Sequence, residues 1–196
     1  MKLSLPVMVF FSMFIFISCG QGQKEKSAAT TEKASASAGR LKSVRPDNAV
    51  KAPDFTLATV DGNWVTLKSL KGKVILLNFW GTWCAPCRKE IPDLNQLYDK
   101  YNGDGLEIVG ITLSSGSPAD IKKFMEEWKM NYIVLTDIKG NETQMVTQLY
   151  GKATGRPING IPTTFIIDRE GYIVKSYIGP RTEEIFYNDL KPYLYP

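Results

Sequence analysis

Residues 74–80 read VILLNFW, apolar at every position except Asn78. A strand with one face in water alternates apolar and polar residues, whereas a strand apolar on both sides must be covered on both. The run therefore predicts a central strand between two layers. GTWCAPCRKE (81–90) follows at once, and behind it Ile91, Leu94, Leu97, Tyr98 and Tyr101 recur at helical spacing. A helix should start around the two cysteines, with Pro92 expected to kink it.

The rest of the chain fits that frame. FTLATVDGNWVTLKSLKGK (55–73) has alternating runs around Asp61-Gly62, a hairpin signal. LEIVGITLS (106–114) is a strand, SPADIKKFMEEWKM (117–130) a helix with a Ser-Pro start, YIVLTD (132–137) a strand and ETQMVTQLYG (142–151) a short helix ending at glycine. TTFIID (163–168) and YIVKSYIG (172–179) form a second hairpin, and RTEEIFYNDLKPYL (181–194) closes the chain as a helix. Strands alternating with helices imply an α/β fold, its sheet holding parallel members and carrying helices on both faces. Trp64, Trp128 and Phe165 are expected in the core.

The N-terminal part is different. MKLSLPVMVFFSMFIFISC (1–19) has a charged start, an apolar run and a small residue before Cys19, the pattern of a secretory leader. The run is shorter than the roughly 20 residues of a spanning helix. FISC resembles a bacterial lipobox, although Phe16 and Ile17 depart from its commonest form. Lipidation of Cys19 is the expectation. A plain signal peptide or an uncleaved anchor are the alternatives. Residues 20–50 are rich in Ala, Ser, Lys, Gly and Thr and lack aromatics, so they are expected to form a flexible tether. The organisation expected is thus a leader over 1–19, a tether over 20–50 and one domain over 51–196.

Charge supports this division. Of 24 basic residues, Lys2 and the segment 20–51 hold eight, against three acids, while from residue 52 onward 16 bases face 17 acids. The basic excess lies outside the body, which argues against a nucleic-acid groove and suits a tether near anionic headgroups. The extracytoplasmic setting that a leader implies permits disulfides.

With Cys19 assigned to lipid, Cys84 and Cys87 remain. A structural zinc site needs four ligands, and the chain has three cysteines in all and no histidine. No metal or cofactor is expected. A structural disulfide would close a very small loop and gain little. Redox chemistry is the third reading. A sulfur at a helix N-terminus meets unpaired N–H groups that stabilise a thiolate, the nucleophile of thiol–disulfide exchange. Cys87 lies one turn on, on the same face, and Pro86 stiffens the turn between them.

NFWGTWCAPC, KEIP and the later GIPTTFIID together resemble the thioredoxin superfamily, and more narrowly the membrane-tethered TlpA/ResA-like thiol–disulfide oxidoreductases, over about residues 52–196. The resemblance implies a thioredoxin-like mixed sheet flanked by helices, with an N-terminal β-hairpin and an αβ insert. It implies that Cys84 attacks, that Cys87 resolves, and that Pro162 is a cis-proline facing them, with the backbone of Ile161 pairing to a substrate strand. Thioredoxins carry a buried aspartate where this chain has Asn78. Glu90, also a glutamate in the TlpA/ResA-like proteins, is the candidate proton relay. The rival reading of Glu90 is a solvated helix carboxylate. Trp83 adjoins Cys84 and is expected at the rim. Protein disulfides are the implied substrates and a membrane thiol–disulfide donor the implied source of electrons, including for cytochrome c maturation.

Two other readings stand beside this one. A thiol peroxidase of the peroxiredoxin type would need a P-x-x-x-T-x-x-C setting, and Leu77 stands at the proline position. A binding module with an idle disulfide is the non-enzymatic alternative. One stretch departs from the family. GKATGRPINGIP (151–162) passes to the proline by several extra residues, including Gly151, Gly155, Arg156 and Gly160. It is expected to shape partner choice, with Arg156 reading an acidic partner, unless it is a tolerated surface insertion.

Overall fold

A computed structural model describes residues 45–196. The leader over 1–19, the lipidation residue Cys19 and tether residues 20–44 lie outside the described residues. The strands are β1 (Val50–Lys51), β2 (Thr56–Thr59), β3 (Trp64–Thr66), β4 (Val74–Trp80), β5 (Leu106–Thr112), β6 (Ile133–Thr136), β7 (Thr163–Ile167) and β8 (Tyr172–Ile178). The helices are α1 (Ala85–Tyr101), α2 (Pro118–Glu127), α3 (Glu142–Thr154) and α4 (Glu183–Leu194). All eight strands form one mixed sheet in the order β1-β8-β7-β4-β5-β6-β2-β3. β4 runs parallel to β5 and antiparallel to β7.

Every residue of β4 is buried, and its side chains divide by parity. Val74, Leu76 and Trp80 pack with Ile91, Leu94 and Leu97 of α1, Ile121 of α2, and Phe186 and Leu190 of α4. Ile75, Leu77 and Phe79 pack on the other face with Val146 and Tyr150 of α3 and with Phe55 and Leu57. This is the two-sided cover that VILLNFW predicts. β5 keeps a glycine at its centre for a packing reason: a Cβ on Gly110 would lie 2.7 Å from the indole nitrogen of Trp80.

α1 holds Pro92 inside it and runs on to Tyr101, giving up the one amide bond that proline cannot make. Three features differ from the sequence reading. Residues 45–50, placed in the tether, join the body. Arg45 Nε donates to Asp168 at 2.6 Å, and Val50 pairs with Ile173 in β1. α3 does not end at Gly151 but runs to Thr154, and Gly155 ends it at φ +66°. Trp64 is not core. It stands 63% exposed on β3, the outermost strand, while Phe165 is buried as expected.

Candidate active site

β4 delivers the chain to Gly81, where a Cβ would meet the Trp83 ring nitrogen at 2.9 Å and the Leu113 carbonyl at 3.0 Å. Glycine is what lets the backbone turn so closely. The Cys84 N–H donates to the Gly81 carbonyl at 3.1 Å, and Cys84 becomes the N-cap of α1. Proline at the second helical position has no N–H. The Cys87 N–H is then the free donor that reaches the cap, and it lies 3.2 Å from Cys84 Sγ. A donor pointed at sulfur at the positive end of a 17-residue helix lowers the cost of a thiolate there. Cys84 and Cys87 are joined as a disulfide with Cα atoms 5.2 Å apart.

The opposite wall comes from the segment before β7. The Ile161–Pro162 peptide bond is cis, and the Ile161 carbonyl oxygen lies 3.6 Å from Cys84 Sγ. Gly179 N–H donates to the Pro162 carbonyl at 2.8 Å, and the Thr163 hydroxyl donates to the Gly160 carbonyl at 2.6 Å. These bonds fix the turn from both sides. A groove of about 690 Å³ runs between the walls, lined by Trp83, Cys84, Leu113, Gln144, Ile158 and Ile161 among others. Trp83 is 59% exposed at its rim, with its ring N–H donating to the Leu113 carbonyl at 3.1 Å.

Glu90 is 1% exposed, so it is no solvated helix carboxylate. It accepts from the Asn78 side-chain amide at 3.1 Å and from the Arg181 backbone N–H at 2.9 Å. Burial pushes its carboxyl up to about 7, against the pull of those two donors, and the Asp93 charge adds to the rise. Asn78 also donates to the Thr164 hydroxyl at 2.8 Å. The position that holds an acid in thioredoxins here holds a donor that orients one.

The structure thus brings Cys84, Trp83 and Ile161 to one groove, with Pro162 next to Ile161 and Cys87 bonded to Cys84 behind it, and with Glu90 one helical turn beyond Cys87. Sequence reasoning missed the Arg181 amide and the Thr164 hydroxyl. Arg181 acts through its backbone, 91 residues from Glu90, and carries no side-chain signal. Thr164 could have been found, because it is the register partner of Asn78 across β4 and β7.

A mixed sheet with helices on both faces, a Cys-x-x-Cys pair capping a helix and a cis-proline against the first sulfur define a thioredoxin-fold redox protein. Residues 49–176 match the AhpC/TSA family. The chain is 39% identical to the thiol–disulfide oxidoreductase ResA of Bacillus thuringiensis (strain Al Hakam) over 134 residues, 68% of this chain and 71% of that one. It is 35% identical to ResA of Bacillus subtilis (strain 168), covering 72% and 74% of the two chains. The crystal structure of a thiol:disulfide interchange protein of the thioredoxin family from Chlorobium tepidum TLS superposes with a TM-score of 0.64 at 35% identity, covering 74% of this chain and 97% of that one. The chain belongs to the AhpC/TSA family and, within it, to the ResA-like thiol–disulfide oxidoreductases. Leu77, fully buried in mid-β4, leaves no proline for a peroxiredoxin-type setting.

Proposed function

We propose that this thiol–disulfide oxidoreductase works outside the cytoplasm, held to a membrane by lipid on Cys19, and reduces disulfides of proteins. The observation that carries the roles is the asymmetry of the pair. Both sulfurs belong to buried residues, but Cys84 lines the groove and receives the Cys87 N–H, while Cys87 does not line it. Starting from the dithiol, the Cys84 thiolate attacks one sulfur of a substrate disulfide. A mixed disulfide forms, and the other substrate sulfur leaves with the electron pair of the broken bond. Cys87 then loses its proton toward Glu90 and attacks Cys84 Sγ. The second substrate sulfur leaves, and the Cys84–Cys87 disulfide closes. A dithiol partner in the membrane returns two electrons and two protons to the pair. The Ile161 carbonyl beside Cys84 Sγ supports the view that the segment before Pro162 pairs with the substrate backbone.

Blocking the second step tests these roles. With a disulfide-bonded protein substrate, Cys87→Ser should accumulate a covalent complex through Cys84, seen as a reductant-sensitive band. Cys84→Ser should give none. A complex formed equally well by Cys84→Ser would overturn the assignment.

The anchoring reading rests on the leader and on the Ser18-Cys19 pattern. Radiolabelled fatty acid should mark the wild type and not Cys19→Ala. Equal labelling of both would remove the lipid anchor from the account.

A further inference from the structure

The extra residues before the cis-proline create a second groove that the exchange chemistry does not use. It measures about 270 Å³, and its lining includes Arg156, Ile158, Thr163, Ser176, Ile178 and Arg181. Ile158 also lines the sulfur groove, so the two grooves are neighbours that share this residue. Ile178 is 68% exposed and stands in register with Thr163, the residue after Pro162. Beside the cis-proline turn, Ile178 thus forms an exposed apolar ledge in a groove that Arg156 and Arg181 also line.

Both arginines are placed by their backbones. Arg156 N–H donates to the Gly151 carbonyl at 3.0 Å, holding it against the end of α3. Arg181 has its N–H on Glu90, and its guanidinium folds back onto the Pro180 carbonyl at 2.8 Å and the Gly179 carbonyl at 3.3 Å. Gly179 is the residue that holds the Pro162 carbonyl, so this positive charge sits beside the turn that meets substrate. Among the described residues neither arginine has an ion-pair partner, and no acidic residue lines the groove. Arginine offers a planar fork to a carboxylate, and two of them beside one groove steer acidic chains toward it.

We propose that Arg156 and Arg181 make this groove a docking site for an acidic segment next to the target cysteine of the substrate protein, and so set which disulfides are exchanged. The proposal rests on the exchange activity above but is separable from it. The test uses full-length protein and two disulfide-bonded peptides that differ only in flanking residues, glutamates in one and lysines in the other. The readout is the ratio of their second-order reduction rates, which a general loss of activity does not move. Exposed charge pairs of this kind give about fivefold preference for the acidic peptide at low salt, fading as salt screens them. Arg156→Glu and Arg181→Glu should each lower the ratio, and together they should bring it to one or below. Arg156→Lys and Arg181→Lys should keep the acidic preference. A wild-type ratio of one or less, or an acidic preference that survives the double glutamate variant, would overturn the proposal. Wild-type reduction of a small uncharged disulfide reports separately on the exchange reading, so a failure of one is not mistaken for a failure of the other.

Discussion

Glu90 is the residue on which the proton traffic of the site turns. Its ordinary value of 4.5 rises to about 7 because burial penalises the charge more than Asn78 and Arg181 relieve it. The sign for stability follows from linkage. The unfolded chain releases this proton near pH 4.5 and the folded chain near pH 7. Between those values the folded state binds more protons, so its stability falls as pH rises, by about 3 kcal/mol for this group. In Glu90→Gln that part of the slope should vanish from the pH dependence of the denaturation midpoint. Removing the carboxylate should also lower the thiol pKa values of the reduced pair, while the loss of a proton acceptor slows turnover on the order of a hundredfold. Parallel stability curves together with unchanged thiol titration and rates would contradict the role. At this scale the sequence was informative about chemistry and silent about contacts. The cysteines were visible from spacing and Glu90 from its place one turn on together with the family resemblance, whereas the amide of Arg181 was not, because a backbone donor looks the same at every residue.

The elements were legible where periodicity dominates. VILLNFW fits a strand covered on both faces, the order of strands and helices implied a sheet with parallel members, and the family resemblance implied the mixed sheet that β4, β5 and β7 centre. Two boundaries were not legible, each for a physical reason. GKATG offers two glycines as the end of α3. Gly151 sits inside the helix because the returning chain packs against it, with a Cβ there meeting Pro157 Cα at 3.2 Å. Gly155 is the one at positive φ, the conformation that ends a helix at little cost. The stretch from 151 to 162 is accordingly a last helical turn and then a shorter loop. The segment 45–50 has the composition of a tether, yet Arg45 pairs with Asp168 and Glu170 and stacks 3.8 Å over the Tyr172 ring. Those partners lie more than a hundred residues away, where local composition carries no information. Trp64 was misplaced for the converse reason. An edge strand has too few neighbours to bury it.

Over the whole molecule, the two ends of β4 have different tasks. Cys84 follows its last residue, while Asp168, which receives Arg45, follows β7 beside its first, since Ile167 pairs with Ile75. The described chain therefore enters the body about 20 Å from the sulfurs, the length of a seven-residue strand. The anchoring proposed above would join the body at that end and leave the groove free to meet large partners, in keeping with protein disulfides as substrates and with an acidic segment docking beside them. The direction of electron flow is likewise a property of the whole protein, because it compares the stability of the complete fold with and without the Cys84–Cys87 bond. The most direct measurement is the reduction potential of that pair, by equilibration against dithiothreitol or glutathione of known poise. The account predicts a value near the thioredoxin figure of about −270 mV or below, that of a reductase fed with electrons. A value near the DsbA figure of about −120 mV would mean a protein that makes disulfides, and would contradict it.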